Sequence, residues 1–194
     1  MIETDRWPVT TAKWFTAVSP DAMRRKVRVI VLHDMEADEA PDTAQRVADY
    51  FATTATKASA HVCVDNTHII QCVLDNDVAW AAPGCNSDGI QIEMAGYGAQ
   101  TRSQWTDPYS LAMLENAANV AAQYCLKYTI PPVRLTDDQL SNGDAGLVGH
   151  VQVSTVYQRS DHTDPGPNFP WDLFMDRVVF YHHERLHAQD SSKD

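Results

Sequence analysis

The chain has 194 residues, 44% of them hydrophobic, which suits one domain with a proper core. Fifteen lysines and arginines against 26 aspartates and glutamates leave a net charge of −11, the wrong sign for following a phosphate backbone or settling on an anionic membrane, so no nucleic acid is expected as a partner. No stretch approaches the roughly 18 apolar residues of a membrane span, and the acidic opening MIETDRWPVTTAKW has no apolar signal core. The expectation is a soluble monomer made in the cytoplasm, with no membrane insertion.

In chain order, residues 1–26 read as an extension packed on the domain that follows. VRVIVLH (27–33) is β-branched with little alternation, the pattern of a central strand, and it ends in a histidine. PDTAQRVADYFATTATK (41–57) places Val47, Tyr50 and Phe51 at helical spacing. AHVCVDNTHIIQCVLD (60–75) has two β-rich runs around DNT and reads as a hairpin, and DGIQIEMAGYG (88–98) as a strand broken by glycines. The clearest helix is TDPYSLAMLENAANVAAQYCLKY (106–128). Asp107 can cap it, Pro108 suits its first turn, and Leu111, Leu114, Ala118, Ala121 and Cys125 form one face. IPPVRLT (130–136) is extended, DDQLSNGDAG (137–146) a loop, and PWDLFMDRVVFYHH (170–183) a last amphipathic helix through Trp171, Phe174, Met175 and Val178, with residues 181–194 a polar tail. Irregular alternation of strands and helices makes the class α/β or α+β with a mixed sheet. Cys63, Cys72, Cys85 and Cys125 show no Cys-x-x-Cys spacing and read as buried thiols, a Cys63–Cys72 bridge across the hairpin being the alternative.

Two histidine patterns compete for a metal. His183-Glu184-Arg185-Leu186-His187 has the His-Glu-x-x-His spacing that places two ligands on one helix face with a glutamate as general base, as in zinc proteases. Seven residues, AQDSSKD, follow His187 in this sequence, so no third ligand of the usual downstream kind is expected, and the pattern reads as a solvated helix end. The second pattern is scattered. His33 ends the first long strand, His150 sits in GLVGHVQVS, and Asp164 lies in DHTDPGPNFPW, where Pro165-Gly166-Pro167 stiffens the loop.

HTDPGPNFPW, with Gly149-His150 and VIVLHDME (29–36), resembles the zinc-dependent N-acetylmuramoyl-L-alanine amidases of the type-2 amidase and peptidoglycan recognition protein family, in particular the amidase domains of endolysins from phages of mycobacteria. The resemblance runs from about Val27 to Val179, and the Asp-Pro-Gly-Pro segment is its most specific part. It implies a catalytic domain over 27–180, a mixed central β-sheet flanked by helices, and zinc in a surface groove that takes the peptidoglycan stem peptide and muramic acid. Carried over, His33, His150 and Asp164 would be the Zn²⁺ ligands, a set that leaves a fourth position open. Glu93 in GIQIEMAG matches the strand glutamate that activates the attacking water, and His162 matches the position that stabilises the tetrahedral intermediate. Gln91 stands where the pattern Gly-Ile-Glu has glycine, and AWAAPG lacks the histidine that many members carry after the tryptophan.

The implied reaction is hydrolysis of the amide between N-acetylmuramic acid and L-alanine, by a phage endolysin acting on the cell wall after release through a membrane pore. The alternatives are a muropeptide-binding module of the same fold without activity, and a zinc protease built on His183, Glu184 and His187. Residue by residue, His33 and His150 could be hydrogen-bonded interior histidines, Glu93 a solvent-facing strand residue and His162 a polar loop residue. His61 reads as groove-facing or cross-strand structural, and His68 as surface.

Overall fold

The computed structural model describes residues 7–19 and 25–191. In chain order the elements are β1 (Phe15–Thr16), β2 (Val29–Asp34), α1 (Thr43–Thr53), β3 (Val62–Val64), β4 (Ile69–Gln71), β5 (Val78–Ala79), β6 (Gly89–Met94), α2 (Pro108–Tyr128), α3 (Asp137–Ser141), β7 (Gly146–Gly149), α4 (His150–Tyr157) and α5 (Trp171–Ser191). A five-stranded sheet has the order β4-β3-β6-β2-β7, and only β4 runs antiparallel to its neighbour. This is a mixed α/β fold with a central mixed sheet flanked by helices. Buried on both sides and paired on both edges, β2 is the central strand that its β-branched run predicts.

Alternation along the strands divides the sheet into two chemical faces. Ile30, Leu32, Val62, Val64, Ile90, Ile92 and Met94 point to one side, where they form the main core with α2 and with Phe174 and Val178 of α5. Val29, Val31, Gln91, His33 and Glu93 occupy the alternate positions on the other side. There Val29, Val31 and Val148 pack with Leu140 of α3 and Val153 of α4, while Cys63 packs with Ala44, Ala48 and Phe51 of α1. The apolar face stabilises the domain; the polar positions of the opposite face fall at the carboxyl ends of parallel strands, where open α/β sheets place their ligands.

Helix α2 starts as its residues dictate: the Asp107 side chain accepts a hydrogen bond from the Ser110 N–H at 2.9 Å, and Pro108 takes the first turn. Its buried face is set by Leu114, Ala118, Ala121 and Cys125 together with Ala117 and Ala122, whereas Leu111 is 43% exposed and does not belong to it. Tyr50 of α1 is likewise exposed, and that helix buries Ala44, Ala48 and Phe51 instead. Two further expectations change. Residues 137–141 form a short helix rather than a loop, because Thr136 and Gln139 cap each other reciprocally. The polar residues after 180 continue α5 to Ser191, held by Tyr181 donating to Glu115 and Arg185 to Asn119 of α2.

Residues 7–19 lie along the edge of the sheet. Val9 bridges Gln71 of β4, whose N–H donates to Pro8 O at 2.9 Å, and β1 pairs with β5 in a separate two-stranded ribbon. Covering the edge strand removes a template for pairing with other chains. All four cysteines are buried free thiols; the Cys72 thiol donates to Cys63 Sγ at 3.7 Å, with no disulfide between them.

Phe174 anchors α5 through ring contacts with Phe169 and Trp171 at 5.6 and 6.3 Å, and it is fully buried. Phe174→Ala should cost about 3–5 kcal/mol, the range for deleting a core aromatic, measured as a lower urea midpoint with an unchanged slope.

Candidate metal centre and its groove

His33 is the fifth residue of β2, and parallel pairing sets it directly beside Glu93 of β6. β7 on the other flank of β2 ends at Gly149, and His150 opens α4 immediately after it. Asp164 comes from the loop before α5, and its carbonyl accepts from the Val151 N–H at 2.9 Å, which ties the loop to the start of α4. Gly166 lets the same loop lie against Gly98: it sits at φ +93°, and a Cβ there would stand 1.9 Å from Gly98 O.

The three side chains converge. His33 Nδ1 is 2.9 Å from Asp164 Oδ2, and His150 Nδ1 is 3.2 Å from Asp164 Oδ1. One ligand atom from each lies within 4.8 Å of the others, and this is the group among the described residues that could hold a metal ion. Tetrahedral zinc with bonds of about 2.0–2.1 Å would separate its ligand atoms by about 3.4 Å, so the donor types and spacing fit that ion with little rearrangement. His33 and His150 are buried and Asp164 is nearly so. His162 stacks on His150 with ring centroids 4.3 Å apart, Nδ1 3.4 Å from Asp164 Oδ1, and its side chain stays 60% exposed.

The electrostatics follow from this packing. Burial by itself pushes His33 down, but its hydrogen bond to Asp164 and the charge of Glu93 outweigh that and hold the imidazole at about 9. Asp164 is drawn well below the usual carboxylate range, its burial overcome by hydrogen bonds from His150 and His33. His150 is lowered, chiefly by burial. Burial pushes Glu93 up to about 8 against the pull of His33, and Asp34 up to about 7. A carboxyl so placed can both take and return a proton near neutral pH. These groups lie at the floor of a groove of about 740 Å³ whose walls include Tyr50, Phe51, Ser59, Trp80 and Asp161.

With this geometry in view, sequence comparison decides the family. The family model described as N-acetylmuramoyl-L-alanine amidase matches residues 23–167. The chain belongs to this amidase family. No curated protein sequence matches it. Among solved structures, the Staphylococcus aureus hydrolase AmiA, crystallised with its ligand, is 19% identical with a TM-score of 0.74 over 95% of this chain and 87% of that one. The amidase LysC from Clostridium intestinale is 17% identical, with a TM-score of 0.55 over 91% and 99%. A mutant endolysin from Bacillus subtilis is 15% identical, with a TM-score of 0.55 over 89% and 99%. At these identities the likenesses speak to the fold.

Other histidines of the amidase lie elsewhere. His61 is buried just before β3, its Nδ1 accepting from Gln91 N at 3.0 Å, and burial together with Arg25 lowers it to about 3; its role is structural. His68 is exposed. His183, Glu184 and His187 are exposed positions on α5, outside the group that could hold a metal. Two polar residues of the site, Asp34 and Ser160, escaped sequence reading, and Gln91 stood out only as a departure from the family pattern. Asp34 is buried, and its Oδ2 has no hydrogen-bond partner. Ser160 lies 3.2 Å from His150 Nε2, and Gln91 lies 2.9 Å from His33 Nε2. Adjacency to a strand-end histidine is the one signal that could have marked Asp34; Ser160 carries none.

Replacing both His183 and His187 by Ala should leave metal content unchanged, by elemental analysis, and shift stability by no more than about 0.5 kcal/mol, as for exposed positions generally. Because a metal must displace the proton that His33 holds up to about 9, zinc affinity should rise with pH between 6 and 9 and fall on acidification; a chelator competition series across that range reads it directly.

Proposed function

We propose that this amidase is zinc-dependent and hydrolyses the bond between N-acetylmuramic acid and L-alanine of peptidoglycan, with His33, His150 and Asp164 as ligands. The observation that carries the reading is the convergence of those three donors within 4.8 Å at the floor of an open groove, beside Glu93. Bound zinc would supply a Lewis acid that polarises the scissile carbonyl and acidifies water.

The chain's own residues do the rest. His33, His150 and Asp164 would hold the ion at the floor of the groove that takes the substrate. Glu93, half-buried beside His33, takes the proton of the attacking water and returns it to the leaving amine of L-alanine. His162 reaches in from the exposed rim and donates to the developing oxyanion, a contribution worth about 10²–10³ in rate for one well-placed donor. Tyr50 and Trp80 line the wall against which stem peptide and muramic acid lie. Residues 27–180 constitute the catalytic unit, with residues 7–19 packed on its edge. The protein works as a monomeric phage lysin on the cell wall; endolysins among its structural neighbours support this part of the reading.

Digestion of purified peptidoglycan should release free amino-terminal alanine and no new reducing sugar ends; reducing ends without alanine would overturn the reading, and neither product would make the fold a binding module. Glu93→Gln should keep zinc and fold while losing about two decades or more of turnover. His33→Ala should lose the metal, read by elemental analysis.

A further inference from the structure

Each ring nitrogen of His33 has a partner. Nδ1 faces Asp164, and Nε2 lies 2.9 Å from Oε1 of Gln91, a side chain fully buried on the same sheet face. The two ends of the Gln91 amide are not interchangeable. Its Nε2 donates to Cys85 O at 3.1 Å, and a backbone carbonyl can only accept, so the amide oxygen is the end turned to His33. That oxygen can only accept in turn, which requires the hydrogen of His33 to sit on Nε2.

The backbone of Gln91 is held as firmly. Its N–H donates to His61 Nδ1 at 3.0 Å, and its carbonyl accepts from His61 N at 3.0 Å. Two residues earlier on the same face, Gly89 leaves the room this amide needs, since a Cβ there would stand 2.8 Å from Gln91 Nε2 and 2.4 Å from Cys85 O. His150 has no equivalent. Its Nε2 partner is the Ser160 hydroxyl, which can donate or accept and therefore orients the ring without choosing its tautomer.

We propose that Gln91 is a positioning residue that commits His33 to bind zinc through Nδ1, by holding the proton on Nε2 and fixing the ring plane. The proposal rests on the zinc reading above. It gives a function to the glutamine found where the family's Gly-Ile-Glu pattern has no side chain: Gly89, Gln91 and Glu93 form one row of the strand that leaves space, orients a ligand and transfers a proton. Partners of this kind on metal-bound histidines hold ring and tautomer, and their loss typically costs about 10–100-fold in metal affinity.

The test uses the full chain loaded with zinc. Long-range ¹H–¹⁵N correlation spectra should show His33 with its proton on Nε2 and Nδ1 bound to the ion; ligation through Nε2 in the unaltered protein overturns the proposal without any variant. Gln91→Leu keeps the bulk and removes the acceptor. It should weaken zinc about tenfold to a hundredfold in competition with a chromophoric chelator, with turnover restored by excess zinc and KM unchanged. Gln91→Glu keeps an acceptor at that place and should bind zinc within a few-fold of the parent. Gln91→Leu that folds, by circular dichroism, and binds zinc as tightly as the parent overturns the proposal alone, as does Gln91→Glu impaired to the same degree as Gln91→Leu. A parent protein that takes up no zinc overturns the zinc reading first and this inference with it.

Discussion

The hydrogen bond from His33 to Asp164 spans 131 residues of sequence and is made almost out of contact with water. An ionised group in that position is tolerated only if it is paired and hydrogen-bonded. Asp164 meets the condition by facing His33 and His150 at once, and the imidazoles meet it by turning their other nitrogens to Gln91 and Ser160. Removing one member would strand the rest, so the elements around them are arranged to keep all of them in place. β2 carries His33, β7 delivers His150 to the start of α4, and Val151 grips the Asp164 backbone. Gly166 seats the loop against Gly98, and the Phe169, Trp171 and Phe174 cluster joins it to α5.

The division of the sheet into two faces explains how a small domain accommodates so polar a centre. Its main core lies on the opposite side, where α2 and α5 close over Ile30, Leu32, Ile90, Ile92 and Met94. The site face carries Gln91, Glu93 and His33 among its apolar contacts, and the burial of Glu93 opposes its ionisation. Chemistry and cohesion share one strand by alternation, so a register shift of one residue would exchange them.

The segment before β2 bears on the groove as well as on the fold. Trp14 stacks on Trp80 with centroids 6.3 Å apart, and the Trp80 indole N–H donates to Thr16 at 2.9 Å, so a wall of the groove is braced from a stretch that precedes the residues matched by the family. An arginine completes the brace from within: Arg25 reaches Asn86 O, Gly89 O and Asp75 O, joining the turns at the two ends of this region.

Sequence alone determined the elements whose local chemistry is self-sufficient. The β-branched run of β2, the Asp107-Pro108 start of α2 and the Trp171, Phe174 and Val178 spacing of α5 each declare their structure within a few residues, and the Asp-Pro-Gly-Pro segment carried the family. It also offered His33, His150, Asp164, Glu93 and His162 as candidates, though by likeness to relatives rather than by spacing, since no local rule links positions 33, 150 and 164, which the fold brings together. Leu111 and Tyr50 misled because helical periodicity shows which residues share a face but not whether that face meets core or water. The extent of the last helix to Ser191 was not legible because part of its support, contacts with Glu115 and Asn119, comes from another helix. The sequence set one histidine pattern aside and the resemblance favoured the other, but only the tertiary structure supplies the physical reason. His183 and His187 have the better spacing, but His33 and His150 have the carboxylate, because parallel pairing of β2 with β7 and the docking of one loop bring Asp164 to them.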